Sequence, residues 1–98
     1  MSTGVLAIDQ GTSSTKAILV DGEGAIVARG SAPLAASYPR PGWVEQDATE
    51  IWTATCAAVA ECLASAKGAV PTAVAVSNQR ESVVAWSART GEPLITSM

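Results

Sequence analysis

Several residue types on which enzymes and nucleic-acid-binding proteins rely are missing or rare in this chain of 98 residues. Histidine is absent, which excludes a Ser-His-Asp triad and a histidine-ligated metal site built from this chain alone. Six basic residues stand against nine acidic ones, and they are spread singly along the chain. Because no basic stripe can neutralise phosphates, we expect no nucleic-acid partner.

Long apolar runs and cysteine pairs are missing as well. No stretch approaches the roughly 20 apolar residues that cross a bilayer, and the N-terminus lacks the positive flank of a signal peptide. Cys56 and Cys62 lie in a predicted helix and point in different directions, so a disulfide between them is not expected. We expect buried thiols, no membrane association and a cytoplasmic location.

Large apolar side chains are also scarce, since phenylalanine is absent and 19 residues are alanine. The length allows one domain at most, with a thin core of small side chains. Short apolar runs predict strands over residues 5–8, 17–20 and 25–31 in antiparallel succession. The intervening Asp21-Gly22-Glu23-Gly24 predicts a hairpin turn, with both glycines at positive φ.

Prolines and a glycine predict a loop over residues 32–46. Asp47 and Glu50 match a capping box, and they open a predicted helix over residues 48–67 that is followed by Gly68. Further strands are predicted over 72–77 and 83–86, a turn over 89–91, and the start of another element at 94–95. The pattern is that of an α/β protein. The residues that recur at helical spacing and predict one face of the helix are Ile51, Trp52, Thr55, Cys56, Val59, Cys62, Leu63 and Ala66.

Two polar clusters follow predicted strands. The first runs from Asp9 to Lys16 and holds Gly11 and four hydroxyl residues, Thr12 to Thr15. Glycine allows close backbone approach to an anion, hydroxyls donate to phosphate oxygens, lysine neutralises charge, and a carboxylate can hold hydrated Mg²⁺. The spacing fits neither a Walker A loop nor a dinucleotide fingerprint. Composition alone leaves an ordinary hydroxyl-rich turn equally open.

The second cluster is Asn78-Gln79-Arg80-Glu81. The guanidinium donors of Arg80 and the acceptor oxygens of Glu81 suit the vicinal hydroxyls of a polyol. A solvated strand end, or an Arg-Glu ion pair worth about 0 to 1 kcal/mol, explains the same residues equally simply.

Three stretches in this order, AIDQGTSSTKAILVDGEGAIV, YPRPGWVEQDATEIW and VSNQRESVVAWSARTGEPL, resemble the N-terminal part of the FGGY family of carbohydrate kinases. The NQRE element with the following VVAW and RTGEPL is typical of its glycerol kinase members. The resemblance implies a ribonuclease-H-like, actin-type ATPase fold, in which two domains close over ATP, Mg²⁺ and a small polyol or sugar. Residues 1–98 then form the N-terminal part of the first domain, and the second domain is absent from this chain. Family members are often homo-oligomers.

The resemblance also implies roles for individual residues. Asp9 matches the aspartate that organises Mg²⁺, through water, while Thr12, Ser13, Ser14 and Lys16 match the ATP phosphate site. Lys16 stands where glycerol kinases commonly have arginine. The positive charge is kept, but lysine lacks the two-pronged guanidinium group with which arginine binds phosphate. Thr12, Arg80 and Glu81 match the substrate site. Trp43, Trp52 and Trp86 are expected to be packing residues.

The general base on the substrate hydroxyl is expected beyond residue 98, so no catalytic residue is assigned here and the isolated chain is expected to be inactive. An alternative is a non-catalytic remnant that at most binds nucleotide phosphate or a partner chain. A third interpretation, another actin-fold ATPase such as an acetate kinase or a chaperone, leaves the NQRE element unexplained.

Overall fold

A computed structural model describes residues 3–38, 40–42, 45–78 and 87–92. Its strands are Thr3–Gln10 (β1), Ser14–Asp21 (β2), Ile26–Pro33 (β3) and Val70–Ser77 (β4), and its helix is Ala48–Ala64 (α1). The predicted antiparallel succession of three strands is confirmed. Each strand is longer than its apolar run, because the flanking polar residues pair as well. The predictions for 83–86 and 94–95 lie outside the described residues.

The β2–β3 turn is built around Asp21. Its side chain accepts hydrogen bonds from the amides of Glu23 (2.9 Å) and Ala25 (3.0 Å). Gly24 adopts φ 85°, whereas Gly22 stays outside the positive-φ region. The predicted hairpin is therefore confirmed, but a single glycine supplies the positive φ angle. The predicted turn at 89–91 is also present, with the Gly91 amide donating to the Ser87 carbonyl at 2.8 Å.

The four strands form one mixed sheet in the order β3-β2-β1-β4. β1 and β2, and β2 and β3, pair antiparallel, whereas β4 lies parallel to β1. A parallel neighbour needs a long crossover connection, which α1 and its flanking loops provide between β3 and β4.

Helix α1 begins as predicted and ends earlier. The Asp47 side chain accepts from the Thr49 amide at 2.8 Å and caps the first turn. Among the hydrogen bonds of the described residues, this bond to Asp47 is present. The other half of the predicted capping box, a bond from the Asp47 amide to the Glu50 side chain, is not among them. The helix ends at Ala64 rather than at residue 67 because the Ser65 hydroxyl and amide both bond to the Cys62 carbonyl. Positive φ angles at Lys67 and Gly68 then redirect the chain.

The buried face of α1 differs from the prediction. Ala54, Ala58 and Cys62 are buried against β2 and β3, whereas Trp52 is 68% exposed and Cys56 is exposed. The expectations of a packing role for Trp52 and of a buried Cys56 are therefore wrong for this chain. The other two tryptophans, Trp43 and Trp86, lie outside the described residues.

Close contact at one glycine explains this choice of face. Gly30 of β3 lies so near the helix that an added Cβ would clash with the Ala58 carbonyl and stand 2.6 Å from the Cys62 amide nitrogen. A helix this close leaves room only for small side chains, and the core accordingly consists largely of alanines with Leu6 and Leu19.

β4 is left uncovered by the helix. Val74 and Val76 pair with Leu6 and Ile8, which places them on the helix side of the sheet, yet they are 62% and 66% exposed. The only described helix, α1, is not long and apolar enough to cross a membrane.

Candidate functional site

The first polar cluster lies where β1 ends. Gly11, Thr12 and Ser13 connect β1 to β2, and together with Ser14, the first residue of β2, we call them the hydroxyl loop. Asp9 precedes the loop near the carboxyl end of β1 and is exposed. In sheets with parallel strands, ligands commonly bind beyond the carboxyl ends of the strands. The position of the loop thus fits a ligand site.

All four carbonyl oxygens of the hydroxyl loop accept hydrogen bonds from the protein. The Gln10 side chain donates to the Gly11 oxygen at 2.7 Å, and the Gln46 side chain donates to the Thr12 oxygen at 2.6 Å. The Leu34 amide donates to the Ser13 oxygen at 2.9 Å, and the Gly11 amide donates to the Ser14 oxygen at 3.0 Å.

This arrangement favours an anion. Carbonyl oxygens repel phosphate oxygens, but each carbonyl oxygen of the hydroxyl loop accepts a hydrogen bond from a protein donor. Thr12 and Ser13 are exposed and Ser14 is half-buried, so hydroxyl groups remain accessible. Donors without competing acceptors are what a phosphate group needs.

Asp9 and Lys16 lie beside the loop on the sheet. They are direct partners in the β1–β2 register, so both side chains project from the same face, opposite the helix, and both are exposed. A carboxylate and an ammonium group thus stand next to each other at the base of the loop. Chemically, the carboxylate can hold a hydrated cation and the ammonium group can attract an anion.

Thr15, the last of the four hydroxyl residues, is oriented differently. Its side chain is fully buried, and its Oγ1 has no hydrogen-bond partner in the described part of the chain. β2 pairs it with Ala32 of β3 on the helix side. Thr15 is therefore a core residue, and it drops out of the hydroxyl groups that can reach a ligand.

The topology brings Asn78, the first residue of the second cluster, towards the first cluster. Ser77, the last residue of β4, pairs with Asp9, so Asn78 leaves the sheet at the edge where the hydroxyl loop begins. Sequence spacing alone does not reveal this proximity, because the two clusters are separated by more than 60 positions. Arg80 and Glu81 lie outside the described residues.

Three contributors to the site were missed by sequence reasoning: Gln10, Gln46 and the Leu34 amide. A glutamine beside a strand end or a helix cap carries no pattern that predicts a bond to a distant carbonyl. Gln46 is 34 positions from Thr12. Its one signal is a polar residue directly before the Asp47 cap, which is also common in solvated loops.

No group of three or more His, Cys, Asp or Glu residues within the described ranges could hold a metal ion. Asp9 stands as a single carboxylate near the loop. Mg²⁺ keeps several water ligands and is usually held in kinases by one or two carboxylates together with substrate phosphates. A single exposed aspartate beside the hydroxyl loop fits that requirement.

Comparison with known proteins defines the class. The N-terminal domain of the FGGY family of carbohydrate kinases matches residues 4–98. An apulose kinase from Pectobacterium atrosepticum is 49% identical over 90 residues, which cover 92% of this chain and 18% of the relative. A glycerol kinase from Variovorax paradoxus is 47% identical over 94 residues, which cover 94% of this chain and 19% of the relative.

A crystal structure of Plasmodium falciparum glycerol kinase with ADP superposes with a TM-score of 0.88 at 32% identity, covering 99% of this chain and 20% of that one. The chain therefore belongs to the FGGY family of carbohydrate kinases, and residues 4–98 match the N-terminal domain of that family. The actin-like ATPase fold implied by the sequence is confirmed. The chain spans about a fifth of the length of the curated relatives that it matches.

Proposed function

We propose that this chain is the N-terminal segment of an ATP-dependent kinase that phosphorylates a hydroxyl group of glycerol or of a related polyol or sugar. The observation that carries the proposal is the hydroxyl loop, in which four consecutive carbonyl groups accept from the protein and leave donors accessible. Family membership supports the same conclusion.

Each loop residue has a role in this proposal. Thr12, Ser13 and Ser14 donate to the phosphate oxygens of ATP, and Lys16 balances their charge. Phosphoryl transfer depends on positioning and on stabilisation of charge rather than on covalent catalysis, so a rigid set of donors is a direct contribution. Asp9 would hold Mg²⁺ through water, and the bound ion would neutralise phosphate charge.

Thr12, Arg80 and Glu81 form the part of the substrate site that this chain contributes. Arginine donors and carboxylate acceptors match neighbouring hydroxyl groups. The parallel β1–β4 pair supports this assignment, because Asn78, at the start of the NQRE element, follows the strand that ends beside Asp9. The substrate class includes glycerol and ketoses, since relatives of similar identity are named as glycerol kinase and apulose kinase.

The 98-residue chain alone is proposed to be inactive. The general base on the substrate hydroxyl is expected beyond residue 98, so this chain supplies a phosphate loop and part of a substrate site without the group that accepts the proton. The small share of its relatives that the chain spans favours this interpretation. A non-catalytic remnant that binds nucleotide phosphate is the alternative.

We further propose that the kinase is cytoplasmic and homo-oligomeric. Its partners are small polar substrates, with no nucleic acid and no membrane among them. The net charge of −3 and the scattered basic residues support the exclusion of nucleic acid. A homo-oligomer is proposed from family membership.

The proposal is tested by phosphorylation assays on the complete kinase that contains this chain. Glycerol, erythritol and ketopentoses are offered with ATP and Mg²⁺, and phosphorylated product is measured. The Asp9→Asn variant is compared with the control variant Asp21→Asn. Asp21 is a turn residue at the end of β2 that lies away from the hydroxyl loop. We expect product with at least one substrate and a loss of rate in Asp9→Asn alone. Equal rates in the two variants contradict the role of Asp9.

A further inference from the structure

Gln46 makes a long-range contact with the hydroxyl loop. The residue is 6% exposed, and its Nε2 donates to the Thr12 carbonyl at 2.6 Å. It lies between a short bridge formed by Ser37 and Glu45 and the N-cap of α1, which fix the chain on either side. The donor is therefore held by neighbouring structure and not by the loop itself.

Planarity of the peptide bond gives this contact a directional consequence. In a trans peptide the carbonyl and the following N–H point in opposite directions, and the described residues contain no cis peptide. With the Thr12 oxygen directed at Gln46, the N–H of Ser13 points away from Gln46. Within the described residues, this N–H donates to no protein acceptor.

We propose that Gln46 is a positioning residue that orients the Thr12–Ser13 peptide so that the Ser13 amide faces a nucleotide phosphate. The inference rests on the proposed function for the identity of the ligand, whereas the orientation itself is a property of this chain. Without the Gln46 donor, the Thr12–Ser13 peptide can rotate and turn its carbonyl lone pairs towards the phosphate oxygens.

The chemistry of the side chain suits this task. A neutral amide donates one strong hydrogen bond from a buried position without adding a charge near the phosphate. A carboxylate of the same length would place an acceptor oxygen against the Thr12 carbonyl oxygen, and the two would repel each other. Burying the charge of the carboxylate would also cost free energy. Gln46→Glu therefore removes the donor with almost no change in shape, and Gln46→Met removes it with no charge.

The first test is amide hydrogen exchange in the 98-residue chain. The reporters are the Gly11 and Leu34 amides, which bond to the Ser14 and Ser13 carbonyls of the loop. We expect exchange to accelerate roughly 10-fold at neutral pH in Gln46→Glu and Gln46→Met, as loss of one hydrogen bond implies. Asp47→Asn is the control, because asparagine caps a helix as well as aspartate does.

Acidification separates a donor role from simple packing. A protonated carboxyl group can donate to the Thr12 carbonyl. At low pH, we therefore expect the reporter amides of Gln46→Glu to exchange as slowly as those of the natural chain. In Gln46→Met we expect them to remain faster. Unchanged exchange in both variants at neutral pH overturns the proposal. Equal behaviour of the two variants at every pH assigns Gln46 to packing and overturns it as well.

The second test uses the complete kinase. We expect both Gln46 variants to raise the KM for ATP by roughly 10-fold and to leave the KM for the polyol nearly unchanged. Equal increases in both constants contradict a role confined to the phosphate loop. If the natural complete kinase shows no phosphorylation, the proposed function fails, whereas the exchange experiment still decides whether Gln46 orients the loop.

Discussion

At the scale of single residues, Thr15 shows how much the neighbours of a side chain decide its role. It follows Thr12, Ser13 and Ser14 in the sequence and is chemically like them, yet its side chain is completely buried. Strand β2 begins at Ser14, and alternation along a strand turns the next side chain into the core. Sequence reasoning grouped the four hydroxyl residues because composition does not reveal where a loop becomes a strand.

The buried Thr15 hydroxyl, which has no hydrogen-bond partner among the described residues, gives a stability prediction. A buried hydroxyl without a hydrogen bond costs free energy that an isosteric methyl group does not. We expect Thr15→Val to raise the free energy of unfolding by about 1 kcal/mol. Denaturant unfolding monitored by circular dichroism measures the change.

Thr55→Val is the matched control, since the Thr55 hydroxyl donates to the Ile51 carbonyl at 2.9 Å. The same substitution there removes a satisfied hydrogen bond and is expected to bring no gain. A Thr15→Val variant less stable than the natural chain contradicts the account of this residue.

Cys62 supplies a prediction of pH dependence. Burial raises the pKa of the Cys62 thiol above its ordinary value of 9.0, because the thiolate would be desolvated. The folded chain keeps this proton to a higher pH than the unfolded chain does. The contribution of Cys62 to stability is therefore complete below pH 9.0 and is lost as the pH rises through its folded pKa.

We expect the free energy of unfolding to fall as the pH rises above 9.0 and the fall to be shallower in Cys62→Ala. Cys56→Ala is the control, because that thiol is exposed. Identical slopes in the natural chain and in Cys62→Ala argue against the effect of burial.

At the scale of elements, the sequence predicts which segments form strands and helix better than it predicts how they pack. Short apolar runs and the Asp21 turn place β1, β2 and β3 correctly, because strand periodicity and turn chemistry are local. The face of α1 is not a local property. It depends on Gly30, which lies 24 positions before Ala54 and lets the helix backbone approach the sheet.

Gly30 therefore carries a strong prediction. Its φ is not in the left-handed region, so space alone opposes a side chain. Gly30→Ala would push a methyl group into the helix backbone at Ala58 and Cys62, and we expect a loss of about 1–3 kcal/mol in stability.

Gly22→Ala is the control, since nothing lies within 4 Å of its added Cβ. Its effect is expected to stay within about 0.5 kcal/mol. Similar thermal midpoints for the two variants contradict the close approach of α1 and β3.

At the scale of the whole molecule, the parallel pairing of β1 and β4 is the feature that sequence reasoning did not supply. The sequence pattern predicted a strand near each polar cluster. It did not predict that Ser77 and Asp9 are neighbours in the sheet. Family resemblance anticipated a shared site, whereas composition and spacing alone left both clusters with ordinary explanations. Pairing between strands far apart in sequence is decided by the tertiary fold and cannot be read from either strand.

The exposed valines of β4 belong to this scale too. Val74 and Val76 lie on the helix side of the sheet, beyond the reach of α1. The thin alanine-rich core and this uncovered strand agree with the observation that the chain spans about a fifth of its relatives.

For the complete kinase, we expect Glu81→Ala to raise the KM for the polyol by at least about 10-fold and to change the KM for ATP little, since a lost charged hydrogen bond costs about 1.5–3 kcal/mol. Steady-state kinetics with each substrate varied in turn measure both constants. Equal changes in the two constants assign the Arg80–Glu81 pair a structural role.

The proposed activity depends above all on phosphate binding at the hydroxyl loop. The most direct test of this binding is a titration of the 98-residue chain with ATP and Mg²⁺, followed by the amide resonances of Thr12, Ser13 and Ser14, with adenosine as the ligand that lacks phosphate. We expect these resonances to shift with ATP and to stay in place with adenosine. Resonances that stay in place with ATP, or that move equally with adenosine, would contradict the proposed binding.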